Sequence, residues 1–460
     1  MSLVRIALFL LSGLFLVLGP LNAPGDGDLY WQRWLGGRIL QTHQLPASLG
    51  SETFTAPGAP WVPQEWLFSV AVAIASHQHL FILLAAALSM VPFAVLVTIW
   101  YRSRGQASPE ATAIAITLCG IAMLESFGTR AQVLGWAALA LFMLFIERRD
   151  RWYYAALPTA ICWANLHASV ALAPVIVLGR IGATVASEGV RGLRSSRDLL
   201  MLAGVAAAMF CTPLGVRLPS FALALVNSPI RHYITEWQPP SWHDASFLFG
   251  ALPLALAIVV GGRTTLLQTK LQSFPAAILL AAALFAFRNT ALFAIVAAPL
   301  AARGLDAFFP RIRTAGERMR ELEPAALVAI GLALVLSAVA LVRIQSLEPA
   351  RLPTAAMATL AGDHSGHRVF CEDFSWCSIA LGYPDLRVFI DGRADAYPLW
   401  TWREYAATIK ATGTWSTTLR DRGVDAVVSQ RGSPLALALR RQPHWGTAYQ
   451  DAGYVLFRRD

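Results

Sequence analysis

The chain has 460 residues, 56% of them hydrophobic and 14% charged, and carries 37 Lys and Arg against 28 Asp and Glu, a net charge of +9. Soluble domains hold about 25% charged residues, so this deficit, spread over long apolar runs, argues against a soluble protein and for a lipid bilayer as solvent. The basic residues cluster between the apolar runs, as membrane topology requires, rather than on a face that would grip nucleic acid.

The first apolar run, Val4–Pro20, has the look of a signal peptide. The residues after it, Leu21-Asn22-Ala23-Pro24, lack the small-x-small cleavage pattern and include a proline, so the run is expected to stay as a helix. A polar loop rich in Trp and Pro follows over 22–64. Glu65–His77 is apolar but only about 13 residues long, short of the roughly 20 that a spanning helix needs, and is expected to lie at the interface. Spanning helices are expected near 79–100, 109–127, 131–146, 152–166, 168–186, 198–213, 246–262, 273–287, 289–302 and 324–342. Cys119, Cys162 and Cys211 fall within these runs as small hydrophobes.

Charge fixes the parity. With Glu65–His77 not crossing, one side holds Arg5, Arg102, Arg104, Arg148, Arg149, Arg151, Arg180, Arg191, Arg194, Arg197, Arg263, Lys270, Arg303, Arg311, Arg313, Arg318 and Arg320. The other holds Arg33, Arg38, Arg130, Arg217, Arg231, Arg288 and Arg343, a bias of 17 to 7 that a further crossing would destroy. The expectation is eleven spans in a bacterial inner membrane, with the N-terminus cytoplasmic and the C-terminus outside. The fold class is thus an all-α membrane bundle over 1–343 followed by a small soluble α/β domain over 344–460. In that domain Val369–Phe370, Arg387–Ile390, Ala426–Val428 and Tyr454–Phe457 read as strands. Trp376–Gly382, Thr401–Thr412 and Pro434–Arg441 read as helices. Cys371 and Cys377 are spaced so that they could pair in an oxidising compartment, but the spacing does not require it.

Under this topology polar residues gather on the outer side: Asp26, Asp28, Glu52 and Glu65 in and after the first loop, Asn165 and His167 at a helix end, Glu236 in the long loop 213–245, and Arg288 at another helix turn. Ionisable groups near the bilayer are costly and tend to be functional. Carboxylates can serve as general base or metal ligands, and an arginine can neutralise a leaving phosphate. Each also has a plainer explanation. Asp26 and Asp28 could form a turn and helix N-cap. Asn165 and His167 could be a hydrogen-bonded helix end, Arg288 could snorkel, and Glu236 could be a solvated loop residue. Asp363, His364 and His367 are metal-ligand types, yet 362–367 has no structured spacing and reads as a linker. Asp391-Gly392-Arg393 reads as a turn, glycine supplying backbone freedom and Arg393 pairing with an acid, or alternatively as an acceptor-recognition element. No P-loop, dinucleotide fingerprint or Gly-x-Ser-x-Gly elbow is present.

The run Asp26-Gly27-Asp28-Leu29-Tyr30-Trp31, then Gly37-Arg38-Ile39-Leu40, Leu45-Pro46 and Pro60-Trp61-Val62-Pro63-Gln64-Glu65-Trp66-Leu67, resembles the first external loop of GT-C superfamily glycosyltransferases. The closest branch in pattern is that of bacterial protein mannosyltransferases and lipid A aminoarabinose transferases. The resemblance continues at Trp163–His167, at Glu236–Pro240 and at Val388–Asp395, features of bacterial membrane proteins of the same layout. It departs in its Asp-Gly-Asp acid pair, where Asp-Glu is usual, and in its tail.

The resemblance implies an inverting transfer of a sugar from a polyprenyl-phosphate donor to a glycan, lipid or protein acceptor on the outer face. Asp28 would act on the acceptor as base, and Asp26 and Glu65 would assist it or bind a divalent metal ion. Arg288 and His167 would hold the lipid phosphate, with Asn165 and Glu236 lining the substrate. The alternative is a non-catalytic membrane scaffold that binds a lipid-linked glycan. A transporter fits less well, because transporters place ionisable residues near the midplane.

Overall fold

Runs rich in Ala and Leu favour the helix, and in lipid only a helix satisfies the backbone of a single segment. The computed structural model describes residues 3–22, 26–148, 150–195, 197–267, 269–309 and 352–459. In it the runs are helices: α1 (Leu3–Asn22), α2 (Asp28–Thr42), α3 (Trp66–His77), α4 (Phe81–Ser103), α5 (Pro109–Leu124) and α6 (Ala131–Ile146). After a 3-10 turn come α7 (Ala156–Leu166) and, past a second such turn at Ala168–Ala171, α8 (Leu172–Glu188). They are followed by α9 (Asp198–Ala208), α10 (Arg217–Val226), α11 (Leu252–Gly261), α12 (Lys270–Phe285) and α13 (Thr290–Phe308). Three of the described helices are long and apolar enough to cross a membrane: Phe81–Ser103, Ala168–Glu188 and Phe287–Phe308. The other apolar helices are shorter. The span expected at 324–342 lies outside the described residues. Helix α10 was not anticipated, because ten residues inside a polar loop carry no spanning signal.

The chain divides into two compact units. The first consists of the described residues within 1–20, 85–226 and 234–341. Its centre is α13, buried without interruption from Thr290 to Ala302 and packed against α5, α11 and α12. Arg102, near the end of α4, is buried there. It donates two hydrogen bonds to Glu147, of 2.9 and 2.7 Å, and one of 3.0 Å to the Ile295 carbonyl of α13, so its charge is matched within the bundle.

The second unit holds the described residues within 21–84, 227–233 and 342–460. Its sheet has five strands: β1 (His367–Cys371), β2 (Leu386–Val388), β3 (Ala426–Gln430), β4 (Trp445–Gln450) and β5 (Tyr454–Arg459), in the order β2-β1-β3-β5-β4. The β1 strand runs parallel to β2 and β3, while β5 is antiparallel to β3 and β4. Val369, Phe370 and Cys371 are buried in succession, the mark of a strand covered on both faces. Helices α14 (Thr354–Ala361), α15 (Leu399–Ile409), α16 (Trp415–Asp421) and α17 (Pro434–Leu439) complete the domain, with a 3-10 segment at Phe374–Gly382.

Beside β2 lies a segment from far upstream. Thr53 bridges Val388 in parallel; Val388 N–H donates to the Glu52 carbonyl at 2.8 Å, and Phe54 N–H to the Val388 carbonyl at 3.2 Å. The first loop is thereby hydrogen-bonded to the sheet edge. Cys371 and Cys377 form a disulfide, their Cα atoms 5.6 Å apart. The 362–367 segment is more ordered than a linker: Asp363 takes an ion pair from His367 at 3.0 Å and another from Arg458 at 2.8 Å.

Candidate active site

Within the second unit, the start of α2 distinguishes the two aspartates. Gly27 occupies the N-cap position, so Asp28 is not the cap but the first helical residue. Asp26 does the turn work, its Oδ1 accepting from the Asp28 N–H at 3.1 Å. The Asp28 carboxylate lies at the positive end of the helix dipole, and its Oδ1 accepts from the Trp31 indole N–H at 3.2 Å. Facing it is Gly392. A Cβ placed there would lie 2.6 Å from Asp28 Oδ1 and 2.6 Å from Trp31 Cδ1. Gly392 does not adopt a positive φ, so the glycine is there for space, not for the backbone freedom that the turn reading assigned to it.

Glu65 sits at the start of α3. Gln32, one helical turn beyond Asp28 on the same face, donates to Glu65 Oε2, and Gln64 Nε2 donates to Glu65 Oε1 at 2.9 Å. Ser69 donates back to Gln32 Oε1. Helices α2 and α3 come this close because Gly36 abuts the Ser69 carbonyl, where any side chain would overlap it. Asp26, Asp28 and Glu65 are thus held by N–H donors. Among the described residues no three His, Cys, Asp or Glu side chains stand together as a metal-ligand set.

Behind Asp28 lies a second cluster. Arg393 is fully buried and grips Asp391 bidentately, at 2.9 and 2.5 Å, while its other nitrogen reaches Glu52 at 2.6 Å. Tyr397 donates to Asp391 at 2.9 Å. The guanidinium is flanked by the rings of Trp34 and Trp61, 4.9 and 5.1 Å from its carbon. Burial alone would push Glu52 up, but the charge of Arg393 and its hydrogen bond outweigh this and hold the carboxyl below its ordinary value. The first loop, read from sequence only as polar and rich in Trp and Pro, packs two Trp rings against this buried cation. Its partner residues, more than 300 positions away, left no local mark.

Within the first unit, His167 follows α7 and caps the 3-10 turn before α8. Its Nδ1 accepts from the Ser169 N–H at 3.1 Å and meets Ser169 Oγ at 2.8 Å, while Trp163 donates to that hydroxyl at 2.9 Å. Nδ1 therefore acts as acceptor, which leaves the neutral ring's proton on Nε2. Arg288 is close enough for its charge to act on His167. It lies 5.6 Å from the Trp237 ring, and its carbonyl receives Gln132 at 3.5 Å. The 3-10 turn Thr235–Trp237 carrying Glu236 is tied to Arg288 through Phe287 N–H, which donates to the Gln238 carbonyl at 2.8 Å. Asn165 has a different attachment, donating to the Ile161 and Cys211 carbonyls at 2.9 Å each. Of the expected residues, the structure brings together Asp26 and Asp28, bonds Glu65 to Gln32 one turn along α2, sets Arg288 within electrostatic reach of His167, and ties the turn that carries Glu236 to the turn that carries Arg288. Sequence reasoning had named Glu52 among the acids of the first loop without giving it a role and had read Gly392 as a turn residue; it had not singled out Trp31, Gln32 or Ser169 as parts of these clusters.

No family model and no curated protein matches the sequence. Solved structures do. An ArnT from Cupriavidus metallidurans, bound to undecaprenyl phosphate, superposes with a TM-score of 0.55 at 14% identity over 99% of this chain and 97% of that one. The oligosaccharyltransferase of Archaeoglobus fulgidus, tethered with an acceptor peptide, gives 0.56 at 13% identity over 100% of this chain and 74% of that one. The chain shares the fold of these two solved proteins.

Proposed function

We propose that this chain is an integral membrane glycosyltransferase that moves a sugar from a polyprenyl-phosphate donor to an acceptor on the outer face of the membrane. The observation that carries this reading is the fold likeness to ArnT over nearly the full length of both chains. It is supported by the acid pair at the start of α2, where Asp26 makes the turn and Asp28, the first helical residue, accepts from the Trp31 indole. Asp28 takes the proton of the acceptor nucleophile as the new bond forms to the anomeric carbon and the bond from that carbon to the phosphate oxygen breaks. Asp26 and Glu65 hold the surrounding helix ends in place. The polyprenyl phosphate leaves as the anion; within the first unit, Arg288 and the Nε2–H of His167 are groups suited to binding a phosphate. A carrier that is anionic at one end and isoprenoid at the other needs a protein set in lipid. We further propose eleven spans, with the C-terminal domain outside; the Cys371–Cys377 disulfide suits an oxidising compartment.

The test uses purified protein in lipid nanodiscs with synthetic undecaprenyl-phosphate monosaccharides, measuring undecaprenyl phosphate released. Wild type should release it, and Asp28→Asn should be slowed by about 10²–10⁴. Wild type that binds undecaprenyl phosphate but never releases it from any sugar-linked form would favour a non-catalytic scaffold.

A further inference from the structure

We propose that Gly392, in the C-terminal domain, sets the orientation of the Asp28 carboxylate and is thereby a positioning residue for the transfer. The inference rests on the assignment of Asp28 as the base. A carbon normally stands about 3.5–4.0 Å from its non-bonded neighbours, whereas a Cβ on Gly392 would stand 2.6 Å from Asp28 Oδ1 and 2.6 Å from Trp31 Cδ1. About 1 Å of movement must come from somewhere.

It cannot readily come from Gly392. The residues on either side, Asp391 and Arg393, are locked by their bidentate pair and by the Glu52 and Tyr397 bonds. Gly392 N–H is itself fixed to Ser378 Oγ at 3.0 Å, and Ser378 is fully buried. Nor can α2 easily withdraw. A Cβ on Gly27 would lie 2.6 Å from the Ser375 carbonyl oxygen, so the helix start is clasped by the 374–382 segment as well. Trp31 is buried edge-on against Trp61, with 6.2 Å between ring centres. The movable group is the Asp28 side chain, together with the indole that donates to it. The absence of a side chain at 392 thus defines where the carboxylate rests.

Full-length variants in nanodiscs, with the same undecaprenyl-phosphate monosaccharides as probe, test this. Gly392→Ala should lower kcat about 10- to 100-fold, the cost of a 1 Å misplacement, with KM within about twofold of wild type. Because its effect passes through Asp28, the double variant Asp28→Asn/Gly392→Ala should be no slower than Asp28→Asn alone. Trp31→Phe, which keeps a ring but removes the N–H donor, should cost about tenfold and move the acidic limb of the pH–rate profile upward, since the carboxylate loses a bond that favours its charged form. A Gly392→Ala protein of full rate, or a double variant slowed by the whole Gly392→Ala factor beyond Asp28→Asn, would overturn the proposal. If Asp28→Asn keeps full activity, the base assignment is what fails. A second measurement is independent of turnover: carbodiimide labelling mapped by mass spectrometry. Gly392→Ala should change labelling of Asp28 severalfold and leave Asp244 unchanged; unaltered Asp28 labelling would show that Gly392 does not orient it.

Discussion

Replacing Arg393 with methionine removes the cation from the buried cluster while keeping a side chain that can lie between Trp34 and Trp61. Two bonds to Asp391 and one to Glu52 are lost, all at 2.9 Å or shorter. The Asp391 side chain has no exposure, so its charge stays stranded. Breaking a buried pair from one side costs about 3–5 kcal/mol. Against a typical total of about 5–15 kcal/mol, that is a large share. At roughly 2–4 °C per kcal/mol for a unit of this size, Arg393→Met should melt about 6–20 °C lower. Tryptophan fluorescence of the purified protein reads this directly, because two indoles lie against the guanidinium. Adding Asp391→Asn removes the stranded charge, and the double variant should recover about 1–2 kcal/mol through coupling of the two sites. An Arg393→Met protein melting within about 1 kcal/mol of wild type would refute the view that this cluster ties the first loop to the sheet domain.

Glu52 is held below its ordinary value of 4.5, so the stability it contributes is complete above that pH and is lost as the pH falls through its lower folded-state value. Melting temperature should drop as the pH goes below about 4.5, and Glu52→Gln should flatten that slope; equal slopes would count against the pairing. Cys371→Ser opens a short loop and should cost about 2–3 kcal/mol on the loop-entropy estimate; wild type treated with reductant should melt at the same lower temperature. In a cysteine-free background, single cysteines at Gly105 should label from the cytoplasm and those at Ser241 and Gly413 from outside; Gly105 labelled only from outside would mean that Glu65–His77 crosses.

Local pattern made the helices legible. The run expected at 131–146 is helical over those residues, because its unbroken Ala- and Leu-rich stretch favours the helix locally. The β4 strand was missed for the converse reason: Trp445–Gln450 is an edge strand with most of its side chains exposed, and it shows no alternation. Asp26 and Asp28 stood out as residues, but the helix starts with Gly27 at its N-cap position, and only that start shows that Asp26 makes the turn while Asp28 opens the helix. Gly392 read as a turn residue because close approach to Asp28 is a relation across the whole chain. The spacing of Cys371 and Cys377 allowed a bridge, and only the course of β1 into the 3-10 segment brought them within reach.

The pairing of the first loop with β2 also governs the order of assembly. Thr53 hydrogen-bonds to a carbonyl 335 residues further along. At translation speeds of about 5–20 residues per second, the loop emerges roughly 17–70 s before its partner strand exists. Through that interval the α2 and α3 hairpin can close on itself, but Glu52, Trp34 and Trp61 have no Arg393 to enclose, and the backbone beside Thr53 is an open edge that invites wrong pairing. A chain interrupted before the sheet domain would leave this edge permanently exposed. Truncations there should therefore be degraded or held by chaperones, even with every helix of the first unit made.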